Sequence, residues 1–60
     1  MAPYITVTSG MSGYFAAFMK YYDDIDGYDC FMTGIGRYQT FDEAKSEAKE
    51  WAAAEGIEYR

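Results

Sequence analysis

Four aspartates, Asp23, Asp24, Asp26 and Asp29, fall within seven positions of the stretch YYDDIDGYDC, residues 21 to 30. Carboxylates at this density suit three kinds of chemistry: a calcium loop, an acidic turn, or a negative surface offered to a basic partner. The calcium reading fails on spacing. With the EF-hand glycine aligned on Gly27, Asp24 and Asp26 fall on the third and fifth ligand positions. The first position is then Tyr22 and the twelfth Thr33, where an acid and a bidentate glutamate are needed. A turn fits better. DIDG suits a type I turn followed by Gly27 in the left-handed region, the three-residue hairpin with a bulge. That accounts for Asp26 and Gly27. It does not require Asp23, Asp24 and Asp29, whose mutual repulsion turn chemistry leaves unexplained.

A second acidic group lies further on. At 100° per residue, Glu43, Glu47 and Glu50 of a helix fall within about 60° of one another, and Lys45 and Lys49 fall on the opposite flank. The i,i+4 pairs Glu43–Glu47 and Lys45–Lys49 are thus like-charged, each unfavourable by roughly 0.2–0.5 kcal/mol. A helix shaped by stability alone interleaves its signs. Segregated stripes point to a charged partner.

Other chemistries have little to draw on. The chain has no histidine, so neither a Ser-His-Asp triad nor the usual zinc ligand set can be assembled. Cys30 is the single cysteine and stands among apolar neighbours, the pattern of a core residue and not of an activated thiolate. GIGR, residues 34 to 37, lacks the glycine spacing of a phosphate loop. The expectation is a non-enzymatic protein with no catalytic residue, no cofactor and no metal.

These residues must be positioned by a few short elements. YITVT, residues 4 to 8, alternates as a half-buried strand, and the turn SGMSG follows. YFAAFMKYY, residues 14 to 22, reads as a second strand. Its faces are Phe15, Ala17, Met19, Tyr21 and Tyr14, Ala16, Phe18, Lys20, Tyr22, with Lys20 marking the second set as the wetter. YDCFMT, residues 28 to 33, reads as a third, with Tyr28, Cys30 and Met32 inward. GIGRYQ is a bulged continuation of it or a loop to the helix. The helix is bounded by a capping box at TFDE, where Thr40 caps and Glu43 reaches back. Its buried stripe is Phe41, Ala44, Ala48, Trp51 and Ala52, and Gly56 suits a left-handed C-cap with Ile57 folding back. IEYR ends the chain as a short edge segment. The expected fold is one α+β domain over residues 1 to 60: a three-stranded antiparallel sheet with a C-terminal helix on one face (β-β-β-α). Its expected core is Ile5, Val7, Phe15, Met19, Cys30, Met32, Phe41, Ala44, Ala48 and Trp51.

Sixty residues suffice for one small domain, which buries about 60% of its unfolded surface. With one cysteine no internal disulfide forms, so packing by the twelve aromatics must carry the fold. A net charge of −5 opposes binding to phosphates and favours a basic partner. The N-terminus has no signal-peptide pattern and no stretch approaches the ~20 apolar residues of a membrane span. Together with the free thiol this fits a reducing cytoplasm, the expected location, where a monomer is the simplest state.

GRYQTFDEAKSEAKEWAAAEG, residues 36 to 56, resembles the strand-to-helix corner of small β-β-β-α modules, among them integrase arm-type DNA-binding domains and antitoxins of the HicB kind. The DNA-reading versions carry basic sheets, whereas this hairpin is acidic. As a whole, an acidic chain of this length with YYDDIDGYD on a hairpin and an acidic helix stripe is similar to the small phage-encoded anti-CRISPR proteins that inhibit type I systems, type I-C in particular. That resemblance implies an inhibitor that binds the Cascade surveillance complex in the host bacterial cytoplasm and occupies the basic groove meant for target DNA. The site residues would be Asp23, Asp24, Asp26, Asp29, Glu43, Glu47 and Glu50, with Tyr21, Tyr22 and Tyr28 supplying apolar contact between charges. The alternative is a protein–protein adaptor or antitoxin-like module that binds through an aromatic sheet face.

Overall fold

The computed structural model describes residues 1–60. The chain runs β1 (Tyr4–Gly10), β2 (Gly13–Tyr22), β3 (Gly27–Thr33), α1 (Phe41–Glu55) and β4 (Glu58–Tyr59). The three expected strands and the helix are present, and the sheet gains a fourth strand. Its order is β3-β2-β1-β4, antiparallel except that β4 lies parallel to β1, with Tyr4 opposite Glu58 and Ile5 opposite Tyr59. The sheet is therefore mixed, not purely antiparallel. The Arg60 amide donates to the Ile5 carbonyl and the Thr6 hydroxyl to the Arg60 carbonyl, which holds the chain end on the edge of β1.

The helix begins and ends by local chemistry. The Thr40 hydroxyl oxygen accepts from the Glu43 amide at 3.3 Å and donates to the Glu43 carboxylate at 2.9 Å. Gly56 adopts φ +69°, its amide reaches the carbonyls of Ala52 and Ala53, and Ile57 folds back so that its amide also donates to Ala52. Ala44, Ala48 and Ala52 form the buried face. Such small side chains bring the helix close to Ile5 and Ala16, which are fully buried, with Val7, Phe18, Trp51, Ile57 and Tyr59 packed around them.

This packing overturns part of the expected core. The register pairs Ile5 with Phe18 and Val7 with Ala16, so Ala16 and Phe18 face the helix and Phe15, Ala17 and Met19 face the other way. The inward face of β2 is thus the one that carries Lys20, which projects past the helix and lies 4.9 Å over the Phe31 ring. Cys30 and Met32 are exposed, and Phe41 lies outside the helix core against Tyr14. The cause is the placement of α1. It packs on β1, β2 and β4 and leaves β3 uncovered.

A β-bulge in β3 adds to the difference. Met32 pairs with Phe18 and Cys30 with Met19, so Phe31 is the extra residue between them. Phe31 sits with its ring 5.7 Å from Phe18, on the helix side. Two successive apolar residues, Phe31 and Met32, therefore point to one face, where strict alternation sends one of them away.

After Thr33 the chain makes a short excursion and returns. The Gly34 amide donates to the Ala16 carbonyl, residues 35 to 37 loop out, and Tyr38 re-pairs with Tyr14 through two bonds of 2.8 and 2.9 Å. GIGRYQ is thus both a continuation of β3 and a loop. Gly13 permits the pairing, since its φ of +113° is closed to ordinary side chains and a Cβ there would collide with the Tyr38 carbonyl.

Candidate functional site

The expected site residues fall into three places. Asp23, Asp24 and Asp26 stand exposed on the four-residue loop between β2 and β3. The Asp26 amide donates to the Asp23 carbonyl at 3.2 Å, and Asp26 itself takes the left-handed conformation at φ +49°. The expected assignment of that conformation to Gly27 is therefore wrong by one residue. Aspartate tolerates the region because its short polar chain bonds locally. Here its carboxylate accepts from the Tyr21 hydroxyl, which pushes the Tyr21 pKa up: the hydrogen bond is the main cause and desolvation adds to it. Asp29 lies opposite Lys20 on the helix side of the sheet.

The hairpin tyrosines divide between the two faces. Tyr21 and Tyr28 are cross-strand partners on the side away from the helix, with ring centroids 5.6 Å apart, and Tyr4 joins them 4.9 Å from Tyr28. The Tyr28 hydroxyl donates to the Ala2 carbonyl at 2.8 Å. Tyr22, next in the strand, points to the helix side. The three expected tyrosines therefore do not form one surface with the helix glutamates.

Glu43, Glu47 and Glu50 do come together. They line a shallow polar depression with Tyr38, Asp42 and Ser46. The Tyr38 hydroxyl donates to Glu47 at 2.8 Å. That hydrogen bond first, then desolvation, then the charges of Glu47, Glu43 and Glu50 raise the Tyr38 pKa above its ordinary value. The carboxylate of Glu47 lies against Gly34 and Gly36, where any Cβ would strike it. The glycines of GIG thus give room to a carboxylate, a role their spacing alone did not reveal.

The two acidic groups are set well apart. Glu47 rests against Gly34, beside Ala16, whereas the hairpin loop begins beyond Tyr22. Six strand residues separate these points along β2, roughly 20 Å at ~3.3 Å per residue.

The distribution of the basic side chains was not legible beforehand. Of ten Asp and Glu side chains, only Glu58 is in an ion pair, with Arg60 at 3.3 Å. Four of the five cations lie over aromatic rings: Lys20 over Phe31 at 4.9 Å, Arg37 over Phe15 at 4.3 Å, Lys49 over Tyr59 at 5.8 Å and Arg60 over Tyr4 at 4.5 Å. Both arginines are thereby held on the sheet face opposite the helix. Arg37 is fixed further by bonds to the carbonyls of Gly34 and Gly36. The hairpin and helix carboxylates are left without ion pairs.

No helix is long and apolar enough to cross a membrane. No family model, curated protein or solved structure matches the chain.

Proposed function

We propose that the protein is a non-enzymatic inhibitor that offers its unpaired carboxylates to a basic, nucleic-acid-binding groove of a protein partner. The observation that carries this reading is the partition of charge. Aromatic rings hold most of the cations, while nine of the ten acidic side chains have no ion-pair partner. An exposed cation–π contact and an exposed ion pair have similar worth, up to about 1 kcal/mol each, so energetics alone do not choose this arrangement. Two acidic groups, one on the hairpin loop and one on α1, roughly 20 Å apart along β2, can meet a groove that otherwise holds phosphates, spaced at about one charge per 1.7 Å of duplex axis. The resemblance that the acidic chain and its YYDDIDGYD hairpin bear to small anti-CRISPR proteins makes type I Cascade, type I-C first, the partner to try.

The test is co-elution of the protein with purified Cascade at low and high salt. A second sample carries Asp23→Lys and Asp24→Lys. The reading predicts a complex that weakens steeply with salt and is lost on charge reversal. A complex indifferent to both is the result that removes it.

One observation favours a second reading, an adaptor. The face opposite the helix displays Tyr4, Tyr21 and Tyr28 as a connected cluster, a composition typical of interfaces. An adaptor would lose its partner on Tyr28→Ser and tolerate the hairpin reversal.

A further inference from the structure

The placement of α1 leaves a trough. Neighbouring strands lie about 4.8 Å apart and a helix is about 10 Å across, so one helix cannot roof a four-stranded sheet. Here the roof ends over β2. Beside it, Phe31 is 53% and Met32 50% exposed, although the pairing of Met32 with Phe18 and the contact of Phe31 with Phe18 put both on the helix side. Phe18 and Trp51 form the wall under the helix edge, their rings 5.9 Å apart. The β-bulge doubles the apolar floor by turning two consecutive side chains into it. The far side is the free edge of β3.

The flank of α1 above the trough is acidic. Glu47 leans toward the end of β3, and Glu50 neighbours it, whereas Lys49 turns to Tyr59 of β4 on the other side. The lone cation at the trough is Lys20. Its ammonium lies over the Phe31 ring and Asp29 stands opposite it. The rim is therefore net negative over an apolar floor.

We infer that this trough is a docking site for a basic amphipathic helix of a partner protein, whose apolar ridge lies on Phe31 and Met32 and whose Lys or Arg side chains meet Glu47 and Glu50. The inference rests on the acidic-surface reading above and names the chemistry of the partner it requires. The uncovered strip beside α1 is one strand wide, about 4.8 Å, so a helix about 10 Å across seated there would rest on β3 and overhang its free edge. An apolar strip with carboxylates on its border matches the ridge and flanks of such a helix.

The probe is a synthetic helix of about 18 residues with leucines at i, i+3, i+4 and i+7 and lysines or arginines on both flanks. Two companions accompany it: the same leucines with glutamate flanks, and a scrambled basic peptide of equal charge without the ridge. Binding is read from Trp51 emission, Trp51 being the chain's only tryptophan, and from amide shifts. The basic ridge peptide should bind, with shifts confined to the surroundings of Phe18, Phe31, Met32 and Trp51. Phe31→Ser and Glu50→Lys should each weaken it by about tenfold, and raising NaCl from about 50 to about 500 mM should weaken it further. Failure of the basic ridge peptide to bind overturns the inference. So does equal binding by the scrambled or acidic peptide, or shifts that gather on the hairpin loop. Shift mapping on the wild type decides the matter if Phe31→Ser fails to fold. A dimer of this chain that Phe31→Ser dissolves would show the occupant to be a second copy, and would also overturn it. Failure of the wider reading looks different: the peptide would still occupy the trough, but Cascade would not associate.

Discussion

Replacing Gly13 by alanine tests the pairing that places Tyr38, and through it Glu47. The glycine has φ +113°, and a Cβ would drive into the Tyr38 backbone carbonyl. A residue held in such a sparsely populated region costs on the order of 1–3 kcal/mol. Relief of the collision would separate Tyr14 from Tyr38 and sacrifice two backbone hydrogen bonds, each contributing about 0.5–1.5 kcal/mol. The expected loss is about 2–6 kcal/mol. A 60-residue domain has a total stability of only about 3–9 kcal/mol, so the variant should be close to unfolding at room temperature. Two other glycines separate strain from collision. Gly56 has φ +69° with open space around it, so Gly56→Ala should cost only the left-handed penalty, about 1–2 kcal/mol. Gly27 has no atom nearer than 3.8 Å to an added Cβ and no positive φ, so Gly27→Ala should stay within about 0.5 kcal/mol of the wild type. Urea unfolding followed by tryptophan emission gives the three values, provided m is unchanged. The reasoning is refuted if Gly13→Ala lies within about 0.5 kcal/mol of the wild type, or if Gly56→Ala costs more than Gly13→Ala.

Alkaline pH should destabilise the fold through Tyr38. Its folded pKa is raised above the ordinary 10.0, so its contribution is fully present below about pH 10 and is lost as pH rises through the folded value. Thermal melts from pH 8 upward should show this loss, and Tyr38→Phe should remove part of it. The exposed Cys30 thiol should react with a disulfide reagent in the native protein about as fast as in urea; strong native protection would contradict its position on β3. Ala48→Leu should destabilise by about 1–3 kcal/mol in urea melts, because Ala48 is fully buried against the sheet, whereas Met32→Ser on the uncovered strand should cost under about 1 kcal/mol.

The ends of α1 were legible because their causes are local. Thr40, Glu43 and Gly56 act on backbone groups within a turn of themselves, and Ala44, Ala48 and Ala52 repeat at helical spacing. The inward face of β2 was not legible. Both of its faces are rich in aromatic and alanine residues, and Lys20 marks the buried side only because it lies beyond the helix edge. What decides between the faces is tertiary: Ala16 and Phe18 pair with Val7 and Ile5, the apolar face of β1, so the helix that covers β1 covers them too. The bulge at Phe31 depends on the register with Phe18 and Met19, which no pattern within YDCFMT reveals. β4 has two residues, too few to carry a period, and pairs in parallel because α1 returns the chain beside β1. The acidic helix stripe was readable from spacing. Its connection to Tyr38 and to the glycines of GIG required the chain excursion at residues 35 to 37. The tyrosines were visible as a group, but the strand pairing separates Tyr21 and Tyr28 from Tyr22.

The most direct test of the central claim is a competition gel shift with purified type I-C Cascade and labelled target DNA. Protein is added before the DNA at two salt concentrations, with the Asp23→Lys, Asp24→Lys variant alongside. The account predicts that the wild type blocks DNA loading, that it blocks less well at high salt, and that the reversed variant does not block. Undiminished DNA loading in the presence of excess wild-type protein would contradict it.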